Sequence, residues 1–205
     1  NNTMSDSIKH ECGVAMLRLL KPLAYYQEKY GSSLYGLNKM YLLMEKQHNR
    51  GQDGVGLANI KLNVDPGKRY ISRRRSVATN PIQDVFKQVN KRFVELEAND
   101  PEKLKDPKWM KENMPFTGEL FLGHLRYGTF GGNTIEQCHP FLRQSNWKTR
   151  NLVLAGNFNM TNVDELFQQL VDLGQHPKQK ADTVTILEKI GHFLDEANDD
   201  IYYKH

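Results

Sequence analysis

The stretch Cys12-Gly13-Val14-Ala15-Met16-Leu17-Arg18-Leu19-Leu20 is the point from which the rest of the chain can be ordered. Val, Met and Leu dominate it, and the spacing predicts a buried strand over Gly13–Leu20. The residues before it, Asn1 to Glu11, are polar and without periodicity, and read as a leader or propeptide. Two readings fit the cysteine at the junction. A small apolar residue can fill the core where a strand begins. Alternatively, cleavage after Glu11 would leave Cys12 as the first residue of a rigid element, with an amine beside its thiol. A free α-amino group has a pKa of ~7.7–8.0 and can act as base for a nucleophile on the same residue.

Outward from this stretch, Leu34, Leu37, Tyr41 and Met44 recur at helical spacing and predict a helix over Leu34–Gln47. Val55–Val64 and Lys68–Val77 read as strands on either side of the Asp65-Pro66-Gly67 turn. Between Pro81 and Phe116, Ile82, Val85, Val89, Phe93 and Leu96 keep helical spacing before charges and Pro101, Pro107 and Pro115 break the run. An added helix followed by a surface excursion is expected there. Leu120–Tyr127 and Asn151–Asn157 have strand periodicity, while Val163–Leu173, capped by Thr161-Asn162, and Asp182–Ala197 are amphipathic helices.

Composition bounds the function. The chain has 205 residues, of which 39% are hydrophobic and 25% charged, which suits one globular domain or one and a half at ~100–200 residues each. No run approaches the ~18 apolar residues of a membrane helix, so no membrane partner is expected. The formal charge of +4 permits an anionic partner without requiring one. Two cysteines lie far apart behind a leader that lacks an apolar core, and a reducing, cytoplasmic setting is expected.

Three further clusters carry groups suited to binding a small zwitterion. Arg50-Gly51-Gln52-Asp53-Gly54 offers a guanidinium and a carboxylate in a tight loop. Gly123-His124-Leu125-Arg126-Tyr127-Gly128-Thr129 puts an arginine and hydroxyls at a strand end, and Asn157-Phe158-Asn159-Met160-Thr161-Asn162 groups amides before a helix. Taken singly, each also fits ordinary turn chemistry.

In this order, with Cys12-Gly13-Val14 in front and Asp182 behind, the clusters resemble the class II glutamine amidotransferases, the glutaminase domains of the N-terminal-nucleophile hydrolase group. Arg50-Gly51-Gln52-Asp53 looks most like the amidophosphoribosyltransferase branch. The resemblance implies an α+β fold, a four-layer αββα sandwich, with the domain spanning residues 12–205 and incomplete at its C-terminus. It further implies hydrolysis of the glutamine side-chain amide through a Cys12 thioester. Ammonia would pass to a phosphoribosyltransferase-like synthase domain, absent here, in purine biosynthesis. By the same resemblance Asn157 and the backbone N–H of Phe158 form the oxyanion hole, Arg126 clamps the glutamine α-carboxylate, Asp182 holds its α-ammonium, and Arg50 and Thr129 complete the substrate contacts. No cofactor or metal is implied for the glutaminase domain. Mg2+ would belong to the missing synthase domain, and a homo-oligomer is expected.

Three positions depart from the family pattern. Phe158 stands where glycine is usual, Gly156 where many relatives have histidine, and His139 where glutamine often precedes Pro140-Phe141. If the backbone at 158 must enter a region reserved for glycine, the oxyanion hole would be distorted. A degenerate, ligand-binding amidotransferase domain is the main alternative. Two others are a zinc site of His10, Cys12, Cys138 and His139, and a nucleic-acid surface built on Lys68, Arg69 and Arg73-Arg74-Arg75.

Overall fold

The computed structural model describes residues 11–128, 134–158, 160–174 and 182–204. They form an α+β structure with antiparallel sheets, in two compact units divided between Cys138 and His139.

The first unit contains β1 (Gly13–Arg18), α1 (Leu23–Tyr30), α2 (Tyr35–Glu45), β2 (Gly54–Ile60), β3 (Ile71–Ser76), α3 (Pro81–Asn99), α4 (Pro101–Lys105), α5 (Pro107–Asn113) and β4 (Leu120–Arg126). Its sheet has the order β1-β4-β2-β3, every pairing antiparallel. Because side chains alternate along a strand, Ala15, Phe121, Leu125, Val55 and Leu57 share one face. That face packs with Leu37, Met40 and Met44 of α2 and with Val85, Phe86, Val89 and Phe93 of α3 to form the core. Gly123, in the middle of β4, makes room for the methionines: a Cβ there would stand 2.6 Å from Met44 Sδ.

The expected helix after Pro81 is α3, and Pro81 opens it where a missing N–H costs nothing. The excursion expected beyond it is anchored at three apolar residues. Met110, Met114 and Phe116 are each less than 9% exposed and belong to the same core. Their burial is possible because two Asp-Pro pairs turn the chain back twice. The residue before proline is pushed out of helical geometry, and its carboxylate then caps the next helix. Asp100 accepts from Lys103 N at 3.4 Å, and Asp106 from Lys108 N and Trp109 N at 3.0 Å each. Helix α1 had no counterpart among the expected elements. It ends at Gly31, whose φ of 73° suits a glycine cap. Stacking of Tyr35 on Tyr30 and Tyr26, at 4.4 and 5.0 Å between centroids, ties it to α2.

The basic run 73–75 lies in β3, where alternation sends Arg74 to the face opposite Arg73 and Arg75. It therefore does not build one cationic surface. Arg75 instead donates to the Cys138 carbonyl at 3.0 Å.

The second unit contains β5 (Phe141–Arg143), β6 (Leu152–Leu154), α6 (Val163–Asp172) and α7 (Asp182–Lys204). β5 and β6 pair antiparallel. The strand expected over Asn151–Asn157 is thus only three residues long, and α7 runs to Lys204 rather than Ala197. The side chain of Asn162, at the start of α6, makes no capping bond. What holds this small unit is Arg143. Its guanidinium meets Asp195 at 3.2 and 2.6 Å, Glu188 at 3.3 Å and the Arg150 carbonyl at 3.3 Å. Glu188, Gly191 and Asp195 follow one another at helical spacing on α7, and a Cβ at Gly191 would stand 2.3 Å from Arg143 Nε.

Two stability predictions follow from these contacts. Asn59 is fully buried and bonds Gly118 N at 2.8 Å and the Gly118 and Leu120 carbonyls at 3.1 Å each. Asn59→Leu would orphan those backbone groups, and a urea titration should show a loss of about 3 kcal/mol. Arg143→Met should destabilise the second unit by about 2 kcal/mol by removing the guanidinium shared by Glu188 and Asp195 and leaving Asp195 only its longer contact to Arg150. Trp147, which stacks on Arg150 within that unit, reports the transition by its fluorescence.

Candidate functional site

In the first unit the sheet register creates the site. Gly13 of β1 pairs with Leu125 of β4, and Gly54 of β2 pairs with Arg126. The residue before β1, the last residue of β4 and the loop before β2 therefore meet at one end of the sheet. Cys12 is half-buried there, and the Tyr127 N–H donates to its Sγ at 3.5 Å. Arg126, half-buried, is the neighbouring residue and the last of β4. Arg50 lies in a 3-10 turn, His48–Arg50, and is exposed. Its Cβ stands 3.4 Å from where a Cβ on Gly13 would be.

The loop is fastened to β4 through backbone. Gly51 lies so close that a Cβ would stand 2.5–2.6 Å from the Leu125 and Arg126 main chain. Asp53 N donates to the Arg126 carbonyl at 3.1 Å, and Asp53 Oδ2 accepts from Gly128 N at 2.7 Å. The Asp53 carboxylate, grouped in sequence with zwitterion ligands, thus helps hold the loop after β4. Thr129 lies outside the described residues.

Cys138 belongs to the same unit and has a different character. It is fully buried, with Sγ seated against Gly54, where a Cβ would stand 2.4 Å from it. Burial pushes its thiol pKa up, against the opposing pull of Arg126 and Arg75. His10 of the suggested zinc set lies outside the described residues. Among those described, no group of three or more His, Cys, Asp or Glu could hold a metal ion.

The second unit gathers the other expected residues. Asn157 is exposed and Phe158 partly buried. Among the described residues, the non-glycine positions with positive φ are Asn63 and Phe116, so Phe158 does not adopt the conformation reserved for glycine. Its ring folds back over Gly156, where a Cβ would stand 2.5 Å from Phe158 Cζ, and stacks on His139 with centroids 6.2 Å apart. The two departures at 156 and 158 are therefore coupled: space opened at one is filled from the other. Asp182, at the start of α7, accepts from Met160 N at 2.9 Å through Oδ2. His139 and Thr183 complete this cluster. The sequence offered His139 only as a ligand of the alternative zinc site and as a departure before Pro140-Phe141, and assigned Thr183 no role.

No family model matches the chain. Among curated proteins it is similar to amidophosphoribosyltransferases. The Lacticaseibacillus casei protein is 36% identical over 76 residues, covering 37% of this chain and 38% of that protein. The Archaeoglobus fulgidus protein is 27% identical over 159 residues, covering 78% of this chain and 27% of that protein. Among solved structures, glutamine phosphoribosylpyrophosphate amidotransferase from B. subtilis, complexed with ADP and GMP, aligns with a TM-score of 0.43 and 26% identity. That alignment covers 71% of this chain and 24% of the other. The matches thus span roughly a quarter to two fifths of the length of these curated relatives. By this sequence similarity it contains an amidophosphoribosyltransferase-like domain of the glutamine amidotransferase kind.

Proposed function

We propose that the chain is a glutaminase domain that hydrolyses the side-chain amide of glutamine, with Cys12 as nucleophile. Its ammonia would supply a phosphoribosyltransferase-like synthase domain in purine biosynthesis. The observation that supports this reading is the backbone N–H of Tyr127 directed at Cys12 Sγ, with the Arg126 guanidinium on the adjacent residue. A main-chain donor of this kind orients the sulfur at the strand end, and a planar guanidinium suits a carboxylate.

The chemistry begins with hydrolysis of the Glu11–Cys12 peptide bond, which converts an amide nitrogen with no basic lone pair into an amine. That amine takes the thiol proton as sulfur adds to the glutamine amide carbon. The tetrahedral intermediate puts its negative charge on the former amide oxygen, where the Asn157 amide and the Phe158 N–H act as donors. The amine returns the proton to nitrogen, ammonia leaves, and a γ-glutamyl thioester remains. Water then attacks the thioester, giving glutamate and the free thiol. Arg126 takes the α-carboxylate of the substrate and Asp182 its α-ammonium, with Arg50 and Thr129 contributing further contacts. The Asp182 carboxylate retains acceptor capacity beside its bond to Met160 N. In this reading the antiparallel sheets belong to a four-layer αββα sandwich. No cofactor takes part in the glutaminase step, and Mg2+ and oligomer formation belong to the larger enzyme in the cytoplasm.

Intact-mass measurement should find residues 1–11 removed, and the processed chain should release ammonia from glutamine. Cys12→Ala should abolish release. Asn157→Leu should lower kcat by ~10²–10³, and Arg126→Met should raise KM for glutamine by about tenfold or more. A folded chain with Cys12 at its N-terminus that leaves glutamine intact would overturn the assignment and identify a binding domain of the same descent.

A further inference from the structure

The turn before α6 is held at two points, and both lead to the first residues of α7. At its far end, Met160 N donates to Asp182 at 2.9 Å. At its near end, Gly156 N donates to His139 Nδ1 at 3.2 Å. An imidazole nitrogen that accepts a hydrogen bond carries no proton, so the ring is the neutral tautomer with hydrogen on Nε2. That hydrogen points at Thr183 Oγ1, 3.2 Å away, and Thr183 is 8% exposed. The ring is 9% exposed, with Phe141 edge-on at 4.8 Å and Phe158 stacked at 6.2 Å. Its plane is therefore fixed by aromatics and its tautomer by the Gly156 N–H, with Thr183 Oγ1 as acceptor for the Nε2 hydrogen. Asn157 and Phe158 lie between the two clamps.

We infer that His139 is a positioning residue that locks the Gly156–Phe158 turn, and with it the oxyanion donors at Asn157 and Phe158. The catalytic part of this inference rests on the glutaminase reading above; the clamp itself does not. An oxyanion donor contributes through being held in place before charge develops, and loss of the Gly156 N bond would remove a tie on the residue immediately before Asn157. The hydroxyl of Thr183 matters because it gives the buried Nε2 hydrogen an acceptor and so supports the tautomer that accepts from Gly156. Without it, the proton can move to Nδ1, and the ring can no longer accept from Gly156.

The test uses the full chain with His139→Leu, His139→Gln and Thr183→Val. Leucine can make neither bond. Glutamine can accept from Gly156 through Oε1 and donate to Thr183 through Nε2. His139→Leu should speed amide exchange at Gly156 while leaving the β5–β6 hairpin amides unchanged. It should lower kcat for glutamine hydrolysis by about tenfold or more with little change in KM. His139→Gln should restore both the protection and most of kcat. Thr183→Val should move the imidazole 15N shifts toward the Nδ1–H tautomer and expose Gly156 in the same way, which covers the case of a misfolded leucine variant. Unchanged Gly156 exchange in His139→Leu and Thr183→Val would overturn the clamp, as would a His139→Gln variant as defective as His139→Leu. If the unaltered, processed chain hydrolyses no glutamine, the glutaminase reading falls alone, and Gly156 exchange still decides whether the clamp exists.

Discussion

Strand β4 runs between β1 and β2, antiparallel to both, and the first unit's chemistry depends on where that pairing stops. Its last residue, Arg126, still pairs with Gly54, while β1 has already ended one residue earlier at Gly13. The Tyr127 N–H is thereby released from the ladder and turns to the sulfur of Cys12. The same geometry demands glycine at 51, since any Cβ there would collide with the main chain of Leu125 and Arg126. A strand-end amide needs a partner, and here the partner is the candidate nucleophile.

This arrangement separates rigid from adjustable parts. β4 is backed by a core that includes Met40 and Met44 seated over Gly123, so its end cannot drift without disturbing packed side chains. Arg50, by contrast, is exposed on a short 3-10 turn and keeps its side-chain freedom. In the second unit the corresponding rigidity comes from polar contacts. A three-residue strand pair has little apolar surface to bury, and Arg143 with Asp195 and Glu188 supplies the fixed centre.

Much of the first unit was legible in the sequence because its strands and its long helices carry clear periodicity. Ile82, Val85, Val89 and Phe93 identified α3, and all four are buried. Helix α1 escaped because it is short and its apolar positions are mostly tyrosines. The burial of Met110, Met114 and Phe116 escaped because lysines and prolines surround them. Local pattern cannot show that Asp-Pro pairs redirect a chain toward its own core. Cys12, Arg126 and the Arg50 loop, separated in sequence, meet at one strand end through the sheet register rather than through any local pattern. The coupling of Gly156 with Phe158 does not show in residue types, because each departure looks like a loss until the ring is seen filling the gap. His139 was noticed only as a substitution and a candidate zinc ligand; its two bonds reach residues 17 and 44 positions away in the chain.

The seat that Gly54 provides for Cys138 has a practical consequence for the chain's two thiols. One is enclosed on all sides and held protonated by burial, so an alkylating or disulfide reagent meets it only after the surrounding strands part. The other stands half-open at the sheet's end. In the native protein, stoichiometric labelling therefore counts nucleophiles, and the delayed appearance of a second labelled thiol becomes a clock for opening of the core.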